Sequence, residues 1–152
     1  MPAHHRRKRF ELERSAAIAA PPEAVLGTIT SPSTWPEWQL EIDSTEGPAN
    51  LSTGDVVHGK ASMLGFEVDG QSVASSVTAS TFTEQVVVGV GMTITYTVHP
   101  GPTGTVLTHK LATELPGGPL GRLLSFFLRR RFRKMQSTLL RRLAEQPLSR
   151  VD

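Results

Sequence analysis

The chain has 152 residues, 20% of them charged, a formal net charge of +2 and no cysteine. That length suits a single domain with a real hydrophobic core. The missing cysteines exclude disulfides, thiolate metal sites and a cysteine nucleophile, and no apolar run approaches the roughly 18 residues of a membrane span.

The small net charge hides a strong polarity. Residues 1–9 carry four bases and no acid, residues 10–114 carry twelve acids against Arg14, Lys60 and Lys110, and residues 115–152 carry nine bases against Glu145 and Asp152. The opening MPAHHRRKRF is basic but lacks the apolar stretch of a secretory signal, and Glu11 and Glu13 follow at once. The reading is a disordered basic tail over 1–9 and a cytoplasmic protein.

Phe10 to Ala19 alternates as a first strand. Pro22-Glu23-Ala24-Val25 reads as a helix start, because proline in the first turn gives up an N–H that has no partner there. Helical patterning covers 22–30 and 32–38, with Ser31-Pro32 dividing the two. Trp35 and Trp38 stand three apart and share one helical face. From Glu41 the chain turns β-like, with candidate strands at 41–46, 54–62, 65–76, 80–88, 92–99 and 105–113. Gly47-Pro48, Leu64-Gly65, Gly89-Val90-Gly91 and the run from Pro100 to Gly104 punctuate them. Such short connections favour an antiparallel meander. Leu120 to about Glu145 reads as one long helix with Leu124, Leu128, Phe132, Met135, Leu139 and Leu143 in a stripe. Arg129, Arg130, Arg133, Lys134 and Arg141 lie on the opposite face. The first two turns are apolar nearly all round, so they need cover on more than one side or contact with lipid.

The strand, the A-P-P-E helix start, the W-P-E-W turn and the G-P-L-G-R opening of the last helix resemble the polyketide cyclase/dehydrase and lipid-transport family. That family belongs to the START-like (SRPBCC) helix-grip superfamily. The resemblance implies an α+β fold: a curved antiparallel sheet of about seven strands wrapped around a long C-terminal helix, with two short helices after the first strand. It covers a domain of residues 10–146, leaving 147–152 as a C-terminal tail. It also implies an apolar or amphipathic ligand, such as a lipid, polyketide or isoprenoid, held between sheet and helix.

Strand parity selects the residues that face such a ligand, since positions two apart share a face. Met92, Ile94, Tyr96 and Val98 form one inner set. Phe82 brings Glu84 with it, and Leu107 and Leu111 bring His109. A hairpin closing around Val90 sets Glu84 opposite Tyr96, and one closing across Gly101–Gly104 leaves His109 diagonal to Tyr96. Glu84, Tyr96 and His109 are therefore the candidates for orienting a ligand hydroxyl or carbonyl, or for acid/base chemistry. The plainer alternative has Glu84 facing water and His109 satisfied by backbone. Trp38, Phe66, Val68, Phe82, Met92, Ile94, Leu107, Leu124 and Leu128 are the expected apolar lining, and the tryptophans also seal the short helices on the sheet.

Two functions fit this pattern. One is binding or transport of the ligand. The other is a polyketide aromatase/cyclase or dehydratase using an acid/base pair in the same cavity. His4, His5, His58 and His99 have no metal-ligand spacing, and no metal or cofactor is expected. The basic helix suits an anionic membrane surface better than nucleic acid, because Phe126, Phe127 and Phe132 look like packing residues rather than stacking platforms.

Overall fold

The computed structural model describes residues 8–63, 65–88, 91–115 and 118–146. One antiparallel sheet holds β1 (Lys8–Ile18), β2 (Ile42–Glu46), β3 (Val56–Met63), β4 (Phe66–Val77), β5 (Thr81–Val87), β6 (Gly91–Gly101) and β7 (Gly104–Leu115). Their spatial order is β1-β7-β6-β5-β4-β3-β2. The expected meander runs from β2 through β7, and β1 adds to its far edge against β7. Chain order then forces a crossing from one sheet edge to the other. Helix α1 (Pro22–Ile29), a 3-10 turn (Pro32–Thr34) and helix α2 (Trp35–Trp38) make it, and α3 (Gly118–Glu145) returns over the sheet. The result is an α+β helix-grip fold.

Strand β1 starts at Lys8, earlier than its alternation suggests. Lys8 and Arg9 pair with Leu115 and Glu114, so they belong to the ladder and not to a tail. The tails expected at 1–7 and 147–152, the pair His4 and His5, and the turn positions Leu64, Gly89 and Val90 lie outside the described residues.

The crossing is locked by its tryptophans. Trp35 is 3% exposed and its indole N–H donates to the Ile29 carbonyl at 2.8 Å. Trp38 is fully buried and donates to Thr34 Oγ1 at 3.0 Å. Each therefore buries a large ring with its one polar group satisfied. Helix α1 starts at Pro22 behind Pro21 and ends where the Thr30 hydroxyl turns back to the Leu26 carbonyl.

Register irregularities between Ile42 and Ser44 and between Ala74 and Ser76 mark bulges, which bend a sheet. The concave face collects Phe10, Ile18, Val57, Ala74, Phe82, Ile94, Tyr96, Leu107 and Leu111 in the core. Phe132, Leu139, Leu140 and Leu143 of α3 close over it. The predicted helix stripe holds from Leu128 onward, but Leu124 is 45% exposed. Helix α3 begins at the rim of the sheet, just after β7 ends, and its first turns lack a surface on the outer side.

Candidate functional site

Alternation sends Ser72, Glu84, Tyr96 and His109 to the concave face, one from each of β4, β5, β6 and β7, and all four are buried. Ser72 pairs with Val86 and so lies diagonal to Glu84. Glu84 pairs with Ile94 and lies diagonal to Tyr96, which stands directly opposite His109. The four make a polar row across the sheet. The sequence reading set Glu84 opposite Tyr96 and His109 diagonal to it. Each hairpin instead closes one pair away from that expectation, with Val87 against Gly91 and Gly101 against Gly104. A slip of two residues changes the partner but keeps the face, so the three side chains still share the interior.

Between this face and α3 lies a cavity of about 120 Å³. Val57, Val86, Val88, Met92 and Ile94 line it from the sheet, Trp35 from α2, and Phe132 and Met135 from α3. Its polar lining includes Glu84, Ser72 and Gln39. Among the described residues, Glu84 Oε2 and Gln39 Nε2 are buried without hydrogen-bond partners. Burial pushes the Glu84 carboxyl up to about 8, with the Ser72 hydroxyl pulling the other way.

His109 and Tyr96 sit behind that wall. Gln136 Nε2 on α3 lies 2.9 Å from His109 Nδ1 and donates to the carbonyls of His109 at 3.0 Å and Leu12 at 3.3 Å. Those two carbonyls orient the Gln136 amide as a donor, so Nδ1 accepts and the imidazole proton is assigned to Nε2. Burial lowers the His109 pKa to about 4, leaving the ring neutral at pH 7. Tyr96 is held well above the usual phenol range by burial first, then by Glu84 and Glu41. Its ring stacks on Phe82 at 5.8 Å and meets Trp38 and His109 edge-on at 6.0 and 5.0 Å. The whole row is therefore uncharged at neutral pH. That row suits a carbonyl or hydroxyl, while Glu41, Lys60 and Arg131 add charged groups elsewhere on the cavity lining.

The family model described as polyketide cyclase/dehydrase and lipid transport matches residues 9–146. The chain belongs to that family. Among solved structures, the Zhui aromatase/cyclase from Streptomyces sp. R1128 superposes with a TM-score of 0.71 at 13% identity, covering 90% of this chain and 92% of that one. The di-domain ARO/CYC StfQ of the steffimycin biosynthetic pathway gives 0.72 at 13% identity over 92% of this chain and 51% of that one. The KanY protein gives 0.71 at 20% identity over 91% and 97%. At such identities the likeness is one of fold. No curated protein matches the chain in sequence.

Within this polyketide cyclase/dehydrase-family fold, the residues named from sequence part into four groups. Glu84, Met92 and Ile94 line the cavity. Trp38, Phe82, Tyr96, Leu107 and His109 are buried in the core off its wall. Val68 and Leu128 are half-buried and also off the wall. Placing Phe66 and Leu124 on the wall is corrected by the structure, since Phe66 is 73% and Leu124 45% exposed. Phe66 opens β4 beyond the last β5 pair, Gln71 with Val87, so β3 flanks it on one side, through Met63, and β5 does not reach it on the other.

Sequence reading missed two glycines. Gly59 and Gly70 face each other across β3 and β4, and both line the cavity. A Cβ on Gly70 would meet Val88, another wall residue, at 3.4 Å. Glycine inside a strand signals a missing side chain or a close approach, and both occur here. A Cβ on Gly59 would stand 3.0 Å from the Ser44 carbonyl oxygen, a close backbone approach, whereas Gly70 lacks a side chain on the cavity wall. That signal was present in His58-Gly59-Lys60 and Asp69-Gly70-Gln71.

Proposed function

We propose that this protein binds an apolar or amphipathic small molecule, of lipid, polyketide or isoprenoid type, between the sheet and α3. The carrying observation is an apolar cavity with two polar atoms on its wall, Glu84 Oε2 and Gln39 Nε2, that are unpartnered among the described residues. A ligand carbonyl or hydroxyl there gains hydrogen bonds that the protein itself does not supply, while the rest of the ligand contacts Val86, Met92 and Phe132. Carriage of the ligand between cytoplasmic sites belongs to this reading. Native mass spectrometry of the purified protein, with extraction and identification of any bound species, tests it. A co-purifying apolar molecule with one oxygen function is expected. An empty protein that also ignores a panel of apolar dyes would show that the cavity has no ligand.

A cyclase or dehydratase is the second reading, supported by the pKa of Glu84 near 8 and by the named aromatase/cyclase neighbours. A carboxyl protonated at pH 7 and poised to ionise just above it suits general acid/base work. Glu84 takes that role ahead of His109, whose Nδ1 is occupied by Gln136. Glu84→Gln separates the two readings, because the amide still donates a hydrogen bond but transfers no proton. Ligand affinity within about threefold of wild type supports binding, and loss of turnover of a poly-β-ketone thioester with affinity kept supports catalysis.

A further inference from the structure

The start of α3 has a feature that ligand binding leaves unused. Leu120, Leu123, Phe126 and Phe127 are 79, 57, 61 and 60% exposed. Single exposed apolar residues are ordinary, whereas four on the first turns of one helix make a patch. Phe126 and Phe127 pack on each other edge-to-face at 5.8 Å. Phe66 and Val87, 73 and 61% exposed, lie at the same end of the sheet. The register requires this, because the β3–β4 hairpin, the β5–β6 hairpin and the end of β7 all fall there.

The charge along the first half of α3 has one sign, while Glu67 beside Phe66 and Glu114 at the end of β7 are acidic. Between Leu115 and Leu140 there are six basic residues and no acidic one. Arg130, Arg133 and Lys134 continue the outward face of α3 one to two turns past the phenylalanines, and all three are exposed. Among the described residues none of them forms an ion pair. Arg129 differs, lying over the Phe10 ring at 5.0 Å.

We infer that this end of the molecule docks on an anionic lipid surface, with Leu120, Leu123, Phe126 and Phe127 entering the headgroup boundary and Arg130, Arg133 and Lys134 meeting lipid phosphates and carboxylates. A second copy of the chain would bring the same cations face to face, which disfavours self-association. Nucleic acid would satisfy the cations but leave the leucines uncovered, and the two phenylalanines are turned onto each other instead of forming a stacking platform. An anionic bilayer satisfies both halves of the patch. The inference stands whether or not the cavity holds a ligand, although Phe132 of the same helix walls that cavity.

The test is co-sedimentation of the full chain with vesicles of phosphatidylcholine alone or carrying about 30% phosphatidylserine, at about 0.15 M and about 1 M salt. Binding about tenfold tighter to the anionic vesicles, and weakened by high salt, is expected. Phe126→Ser/Phe127→Ser and Arg130→Gln/Arg133→Gln/Lys134→Gln should each lower it about tenfold, with circular dichroism and urea midpoint unchanged because these side chains are exposed. Equal affinity for both vesicles overturns the proposal. So does anionic binding retained by the double serine variant, which would leave only diffuse charge attraction. A dimer in sedimentation velocity that the same variant dissociates, or preference for a single-stranded oligonucleotide over vesicles, overturns it in favour of another partner.

Discussion

The Glu84 carboxyl and the His109 imidazole are both neutral in the folded protein at pH 7, and both were made so by burial. Their effects on stability oppose each other. From its ordinary 4.5 up to about 8, Glu84 keeps a proton in the folded state that the unfolded chain has lost, so stability falls as pH rises. From 6.5 down to about 4, the unfolded chain protonates His109 and the folded protein does not, so stability falls as pH drops. The slopes cancel where the windows overlap. Stability is thus expected to be level between about pH 4.5 and 6.5, to fall from there up to about pH 8, and to fall slightly between about pH 4.5 and 4. Urea titrations across this range check it, and Glu84→Gln should abolish the alkaline decline. An unchanged decline in that variant would show that Glu84 is not the buried titrating group. Gln136 is the second residue of interest, since one amide nitrogen ties α3 to β7 and β1. Gln136→Leu should cost about 1–3 kcal/mol of unfolding free energy by chemical denaturation, because the partners are left buried and unpaired.

Strands β3 and β4 show how an element can create a site by omission. Gly70 occupies an inward position on the cavity wall where a Cβ would meet Val88 at 3.4 Å, whereas Gly59 opposite it is held to glycine by the Ser44 carbonyl oxygen, 3.0 Å from where a Cβ would stand. Gly70→Leu should therefore weaken binding of an apolar fluorescent dye by about tenfold or more while changing the urea midpoint little, since the new side chain enters existing space. Full dye affinity in that variant would put the dye elsewhere. The parity of β5, β6 and β7 was legible in the residues, because Phe82, Tyr96 and Leu107 carry Glu84 and His109 inward with them. The partners were not legible. Hairpin length fixes them, and Pro102-Thr103 closes the β6–β7 turn in two residues.

The cavity between the sheet and α3 has a volume of about 120 Å³, room for something like a single benzene-sized ring. A longer or multi-ring ligand requires a wall to move. The wall with least holding it is the outer one, where β2 is a five-residue edge strand, and α3 is uncovered at its start. Hydrogen exchange should change on binding a multi-ring ligand in β2 and in the first half of α3, with β6 and β7 unaffected. Equal change in the central strands would mean that the sheet itself rearranges. Among the described residues no helix is long and apolar enough to cross a membrane.

Local chemistry along the chain determined the order of elements, the side of the sheet each strand residue faces and the apolar stripe of α3 after Leu128. Proline position, turn residues and periodicities of two and 3.6 are short-range signals, carried within a few residues. Tertiary structure alone decided that β1 pairs with β7, that Trp35 lines the cavity while Trp38 fills the core, that His109 is clamped by Gln136, and that Phe66 and Leu124 stand in the open. Those outcomes depend on which surfaces meet across long separations in the chain. A residue's apolar character demands cover, but only the packed fold determines whether a covering surface reaches it.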